Sequence, residues 1–316
     1  MGRLVLVLAG LRFSCSSGWR VREDLLVTQI LLRRFEELVG SEDVDALLGL
    51  GCDLADAGLN EEAAACFQRA GLLGSPVGWF DLGNVLVDLG RLPAAAEVLE
   101  RAGEGGEPDA WLNLGHVLSE LGDGEAAVRA YRAAKDAGDP NAPLALAFAL
   151  REQGDRAAAH EVATAAADEG DATAAAVVAC WDWCTSHDPA LEPALRAGAD
   201  LFPAARTDLA DLLIQTGRTA EGRAVLERGV ELGEVEPLLP LGNLCARLGE
   251  FAAAEDAYLK DIASGDIFGH NNLATLYLER GDERSAADQF RIGADKGDAL
   301  AEQNLREMLA ADDPDA

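Results

Sequence analysis

One column of small residues recurs along the chain at an almost constant interval. The interval between successive members is 32 residues in six steps and 31 residues in one step. A fixed period of this size is the sequence signature of a repeat architecture, in which each unit is one supersecondary element stacked on the next. The column consists of Gly51, Gly83, Gly115, Ala147, Ala179, Ala210, Gly242 and Ala274.

The segment 82–102, LGNVLVDLGRLPAAAEVLERA, shows what one unit contains. It predicts two amphipathic helices with a short break at Gly90–Pro93. Gly83 lies inside the first helix, where glycine costs about 1 kcal/mol relative to alanine. We therefore expect that the second helix of the unit approaches closely at this position, where the first helix lacks a bulky side chain. Large residues recur in the second helices at Phe67, Leu99, Tyr131, Leu195, Leu226, Tyr258 and Phe290, with Ala163 in repeat four.

Most units also carry a turn glycine between their two helices. These glycines are Gly58, Gly90, Gly122, Gly154, Gly217, Gly249 and Gly281. Repeat five has none, and it has Pro193 within its second helix. Proline in a helix interior removes a hydrogen bond and clashes with the preceding turn, so we expect that helix to be bent or shortened. Trp79 and Trp111 occupy equivalent columns and are expected to lie in the core.

These columns resemble the tetratricopeptide repeat, and the endings AGDPNA, EGDATA and KGDALA are similar to the Sel1-like repeat. The resemblance covers about residues 44–301, with units two residues shorter than the usual tetratricopeptide repeat. It implies an all-α, right-handed α-solenoid of about eight helix-turn-helix repeats of ~32 residues. We expect an extension at 1–20, a capping helix at 21–43, the solenoid at 44–297, a second capping helix at 298–310 and a tail at 311–316.

The charge of the chain restricts its partners. The formal net charge is −30, so the chain repels nucleic acid phosphates and anionic membrane surfaces, and binding to either is not expected. Six cysteines form no dense framework, which favours a reducing compartment, here the cytoplasm. The apolar run in residues 1–20 lacks a clear cleavage site, so a flexible extension or an upstream start is favoured over a signal peptide.

No catalytic motif is present, and no cofactor is expected. In the segment CWDWCTSH, the spacing places Cys180, Cys184 and His187 near one helix face. Only three metal ligands are visible, whereas a structural zinc site needs four. We therefore favour buried small residues with a turn histidine over a metal site.

The resemblance implies that the first helices line a concave groove that binds an extended peptide. Two asparagine pairs share one offset across neighbouring repeats: Asn84 with Asn113, and Asn243 with Asn272. An asparagine amide both donates and accepts, so it can bind a peptide backbone of any sequence. Hydrogen bonding between neighbouring helices explains these asparagines equally well. His116 is a further groove candidate in the column of Asn84 and Asn243.

Acidic side chains form another column in the first four repeats: Asp56, Asp88, Glu120 and Glu152. Acids near a helix C-terminus oppose the helix dipole, so local helix energetics do not explain this acidic column. It predicts a basic peptide, although a generally acidic surface would give the same pattern. Trp183 is either an aromatic anchor in the groove or a residue that fills a defect of repeat five, and we favour the second interpretation.

These observations predict a non-enzymatic scaffold or adaptor that binds a protein or peptide segment in its concave groove. The acidic column indicates a basic segment. The first alternative is a self-associating structural solenoid. The second is a metal-dependent sensor or enzyme centred on repeat five, for which Cys180, Cys184 and His187 are the only candidates.

Overall fold

The computed structural model describes residues 18–311, and every regular element in that range is helical. Residues 1–17 and 312–316, which contain most of the predicted extension and tail, lie outside the described residues. The α-helices of the described range are α1 (Gly18–Leu38), α2 (Val44–Asp56), α3 (Asn60–Leu72), α4 (Pro76–Asp88), α5 (Leu92–Glu104), α6 (Ala110–Glu120), α7 (Gly124–Asp136), α8 (Ala142–Glu152), α9 (Arg156–Asp168), α10 (Ala172–Ser186), α11 (Glu192–Gly198), α12 (Pro203–Gln215), α13 (Thr219–Glu231), α14 (Leu238–Arg247), α15 (Phe251–Ser264), α16 (Phe268–Glu279), α17 (Glu283–Asp295) and α18 (Ala299–Ala311).

Contacts divide the chain into two compact units, Met1–Ala159 and His160–Ala316, which we name the N-terminal unit and the C-terminal unit. Within each unit, consecutive helices pair as antiparallel hairpins, for example α4 with α5 and α14 with α15. The second helix of one hairpin then packs on the first helix of the next, as α5 does on α6 and α15 on α16. The predicted order of helix, turn and helix is confirmed.

Each hairpin is bounded by local signals in the sequence. Helix α4 begins after Ser75, whose hydroxyl accepts a hydrogen bond from the Gly78 N–H at 3.1 Å, and Pro76 occupies its first turn. The turn into α5 contains Gly90 at φ 69°, a left-handed conformation that favours glycine. All seven predicted turn glycines have positive φ. A second set, not recognised in the sequence, lies between hairpins: Gly74, Gly106, Gly138, Gly170, Gly233, Gly265 and Gly297.

The small-residue column is where the two helices of a hairpin meet. A Cβ atom at Gly83 would lie 2.5 Å from Cγ and Cδ2 of Leu99, which is fully buried. Gly51 faces Phe67 and Gly242 faces Tyr258 in the same way, also at 2.5 Å. The predicted close approach of the helices is therefore confirmed.

A second complementary contact joins successive hairpins, and the sequence reading missed it. A Cβ atom at Gly71 would lie 2.5 Å from the Trp79 ring, and one at Gly103 would lie 2.5 Å from the Trp111 ring. Trp79 is buried and Trp111 packs against the same core, as expected for both. The Arg101 guanidinium lies 3.7 Å above the Trp79 ring, a cation–π contact that covers its outer face.

Repeat five departs from the others as predicted. Helix α10 continues to Ser186, and His187 ends it in a left-handed conformation with φ 49°. A short 3-10 helix, Pro189–Leu191, precedes α11, which has only seven residues and carries Pro193 in its first turn. Proline is tolerated there because the first-turn N–H groups have no partner within the helix.

Single helices flank the hairpins. Leu31 of α1 is buried, and Phe35 and Leu38 pack against the core that α2 and α3 form. At the other end, Ala301 of α18 is fully buried against a core that includes Phe290. Among the helices of residues 18–311, none has the length and apolar character that a bilayer crossing would need.

Candidate functional site

The first asparagine pair joins neighbouring hairpins of the N-terminal unit. Nδ2 of Asn113 on α6 donates to Oδ1 of Asn84 on α4 at 2.8 Å. Both side chains are only partly buried, and Asn84 Nδ2 and Asn113 Oδ1 have no partner within residues 18–311. The exposed His116 ring meets the Tyr131 ring edge-on, with centroids 5.5 Å apart. The pair therefore bridges two helices and still presents a free donor and a free acceptor.

The second pair repeats this arrangement in the C-terminal unit. Nδ2 of Asn272 on α16 donates to Oδ1 of Asn243 on α14 at 3.3 Å. The Tyr258 hydroxyl donates to the same oxygen at 2.8 Å, which holds Asn243 in place. Asn243 is exposed, and its Nδ2 group has no partner in the described part of the chain. Contact of either pair with a peptide stays a prediction.

A groove of about 640 Å³ in the C-terminal unit surrounds the second pair. Its walls come mainly from the first helices α12, α14 and α16, and its apolar surface includes Ile214, Leu226 and Leu276. The residues that line it are Thr207, Asp208, Asp211, Ile214, Leu226, Leu239, Pro240, Asn243, Ala246, Arg247, Tyr258, Asn272, Thr275, Leu276 and Glu279.

Two carboxylates of α12, those of Asp208 and Asp211, line this groove. Asp211 Oδ2 accepts hydrogen bonds from Trp183 Nε1 at 3.3 Å and from Gln215 Nε2 at 2.8 Å. The Cys180 thiol donates to Asp208. Burial raises the pKa of Asp208 above its ordinary value, and the neighbouring charge of Asp211 raises it further, although the Cys180 hydrogen bond opposes both. Burial also raises the pKa of the Cys180 thiol, which is therefore not a reactive thiolate.

The structure corrects one predicted site residue. Trp183 is only 2 % exposed, so it cannot serve as an aromatic anchor on the groove surface. It packs in the core of repeat five, with its ring edge-on to His187 at a centroid distance of 5.0 Å. Its contribution to the groove is indirect, through the hydrogen bond from its indole N–H to Asp211.

The acidic column of the N-terminal unit is exposed in the structure. Its members Asp56, Asp88, Glu120 and Glu152 form no salt bridge with any cationic side chain of residues 26–310. Asp56 is close enough to raise the pKa of Cys52, and Glu152 close enough to raise that of Tyr131, although burial is the larger cause in both. A basic partner for this column remains a prediction.

The possible metal ligands of repeat five are in different surroundings. Cys180 is buried, Cys184 is exposed and His187 lies at the end of α10 against Trp183. Nowhere in residues 18–311 do three or more His, Cys, Asp or Glu side chains form a group that could hold a metal ion.

The sequence contained the groove residues but did not single out most of them. Asn243 and Asn272 were predicted from their repeated offset. Asp211 lies in the column of Asn243, and Asp208 lies in the column of Asn272. This shared register is the signal that could have found them. Tyr258 was predicted only as a packing residue, yet its hydroxyl reaches Asn243.

An all-α stack of helical hairpins with a groove along its first helices defines a solenoid repeat protein. Models of the tetratricopeptide repeat match residues 48–107, 80–143, 203–228 and 235–259. These segments match the tetratricopeptide repeat, and the predicted resemblance is confirmed over them. Proteins of this family are generally non-enzymatic scaffolds for protein–protein interaction.

Solved structures support the fold assignment. A Sel1 repeat protein from Oxalobacter formigenes is 18 % identical, with a TM-score of 0.62 over 96 % of this chain and 98 % of that one. The protective antigen c5321 of uropathogenic Escherichia coli, which has an SLR fold, is 20 % identical, with a TM-score of 0.53 over 87 % of this chain and 73 % of that one. No curated protein sequence matches the chain.

Proposed function

We propose that the chain is a scaffold that binds an extended peptide segment of a partner protein in the groove of the C-terminal unit. The observation that carries this proposal is the 640 Å³ groove, in which the hydrogen-bonded amides of Asn243 and Asn272 lie beside apolar side chains. Peptide sites combine a few placed polar groups, which fix the backbone, with apolar surface that accepts side chains.

The polar groups of the groove suit a peptide backbone. Tyr258 and Asn272 both donate to Asn243 Oδ1, which directs the Asn243 amide N–H groups away from that contact. A donor fixed in this way binds a carbonyl with less loss of side-chain entropy than a free one. The Arg247 guanidinium and the Glu279 carboxylate are exposed and form no salt bridge within residues 18–311, so both are available to a partner.

Binding of pooled peptides tests the proposal. The probe is a fluorescein-labelled pool of roughly twelve-residue peptides of random uncharged sequence, and fluorescence anisotropy measures its binding to the full chain. We expect measurable binding that Asn243→Ala/Asn272→Ala weakens about tenfold, because two charge-neutral hydrogen bonds contribute about 1 kcal/mol or less each. The matched control, Gln68→Ala/Gln303→Ala, removes two exposed amides outside the groove and should bind like the wild type. Equal binding by the wild type and the asparagine variant would show that the peptides do not bind at the asparagine pair of the groove, which contradicts the proposal.

The acidic column supports a second candidate partner, a basic segment bound to the N-terminal unit. The specific observation is that its four exposed carboxylates have no cationic side chain in salt-bridge contact among residues 26–310. Carboxylates of one sign in a row raise the local concentration of a cationic ligand. Charge reversal within the column, described in the Discussion, tests this candidate separately from the C-terminal groove.

A further inference from the structure

The charges of the C-terminal groove are unevenly distributed among its three first helices. Helix α12 contributes the carboxylates of Asp208 and Asp211, whereas the next first helix, α14, contributes the guanidinium of Arg247. Asp208 and Asp211 lie three residues apart in a helix, a spacing that places both on one face. The groove therefore has a strongly acidic wall beside a basic one.

The two carboxylates are held by neutral groups and not by cations. The donors are the Cys180 thiol to Asp208, and the Trp183 indole and Gln215 amide to Asp211. Neither carboxylate forms a salt bridge within residues 18–311. Neutral donors fix the positions of the oxygens, and no lysine or arginine of the described residues pairs with either carboxylate, although His187 is close enough to Asp208 to lower its pKa. A cation brought by a ligand would bind both carboxylates at once without having to displace a side chain of the protein.

Other groups around this wall restrict where a ligand side chain can go. Thr207 lines the same groove, and its buried hydroxyl oxygen has no hydrogen-bond partner in the described residues. Ile214 and Leu226 supply apolar surface next to the acidic wall. Arg247 repels a second cation from the neighbouring helix. Glu279 of α16 also lines the groove, but the two carboxylates of α12 attract a cation more strongly than this single one. A basic side chain is therefore directed to α12, with an apolar side chain beside it.

We propose that the C-terminal groove selects peptides in which an arginine or lysine side chain binds between Asp208 and Asp211 and an adjacent side chain packs on Ile214 and Leu226. This inference rests on the proposed function, since it assigns the peptide class that the same groove recognises. Arginine is the preferred residue, because its planar guanidinium can donate to two carboxylates at the same time.

Three labelled peptide pools test the inference. Each pool has roughly twelve residues per peptide, random uncharged residues at all positions except one central position, and arginine, glutamine or glutamate fixed at that position. Fluorescence anisotropy at low salt gives the dissociation constant of each pool for the full chain. Asp208→Asn/Asp211→Asn removes the acidic wall with little change in shape. Asp295→Asn/Glu283→Gln on α17 is the matched control, because it removes the same charge outside the groove.

We expect the wild type and the control variant to bind the arginine pool at least tenfold more tightly than the glutamine pool, and the glutamate pool most weakly. The Asp208→Asn/Asp211→Asn variant should bind the arginine and glutamine pools with equal affinity. Arg247→Ala should keep or increase the preference for arginine. Binding of the glutamine pool with no preference for arginine would overturn this inference and leave the proposed function standing. Failure of all three pools to bind would overturn both.

Discussion

The contact between Gly83 and Leu99 allows the repeat packing to be tested by a double-mutant cycle. Leu99 is fully buried, so Leu99→Ala should lower the free energy of unfolding by about 2–5 kcal/mol. Gly83→Ala places a methyl group 2.5 Å from Leu99 Cγ and Cδ2. Overpacking of this kind costs about 1–3 kcal/mol, and the better helix propensity of alanine returns about 1 kcal/mol.

The double variant places alanine in both columns, as the sequence of repeat four does. Repeat four has Ala147 in the small-residue column and Ala163 in the column of large residues. In Gly83→Ala/Leu99→Ala the methyl group meets no clash and fills part of the cavity. We therefore expect the double variant to be more stable than the sum of the single changes predicts, by roughly 1–3 kcal/mol.

Urea unfolding followed by circular dichroism measures all four proteins of the cycle. Gly49→Ala combined with Leu99→Ala is the control, because nothing lies within 4 Å of a Cβ atom at Gly49. That pair should be additive to within about 0.5 kcal/mol. Additivity in the Gly83 cycle as well would refute the close approach of the helices as the reason for glycine in this column.

Three further predictions concern charge and metal. Asp261 is 3 % exposed, and burial raises its pKa to about 6 from 3.8. Its protonation therefore increases the free energy of unfolding. This contribution is complete below about pH 4 and is lost as the pH rises through 6. The wild type should gain about 1 kcal/mol of unfolding free energy from this group between pH 7 and pH 5, and Asp261→Asn should lack that gain in urea titrations at both pH values. Asp88→Lys/Glu120→Lys should weaken binding of a labelled oligolysine peptide and reduce its salt dependence, whereas unchanged binding would place a basic partner elsewhere. Dialysis against a chelator should leave the melting temperature unchanged, and a fall of several degrees would revive a metal site at residues 180–187.

The sequence predicted the fold well because one physical requirement repeats in every unit. Close approach of two helices demands a small residue at Gly83 and its equivalents, and a left-handed turn favours glycine at Gly90 and its equivalents. The contact of Gly71 with Trp79 was missed because it crosses the loop between hairpins. Its partners become neighbours only when the stacking of one hairpin on the next is known.

The candidate site could be predicted only in part. The offset of Asn243 and Asn272 indicated that their side chains would meet, and they do. A column does not show how deeply a side chain is buried, however. Trp183 falls in a groove column, but α10 continues to Ser186, and the Trp183 ring packs into the core. The acidic wall at Asp211 depends on that buried indole, a contact between two repeats that sequence spacing alone does not reveal.

The most direct test of the central claim is a nuclear magnetic resonance titration of the full chain with the pool of uncharged peptides. Peptide binding in the C-terminal groove predicts that the side-chain amide signals of Asn243 and Asn272 shift in proportion to the bound fraction. The signals of Asn84 and Asn113 in the N-terminal unit should stay in place for a peptide of uncharged sequence. Shifts confined to residues outside the groove, with the Asn243 and Asn272 signals unmoved at saturation, would contradict the claim.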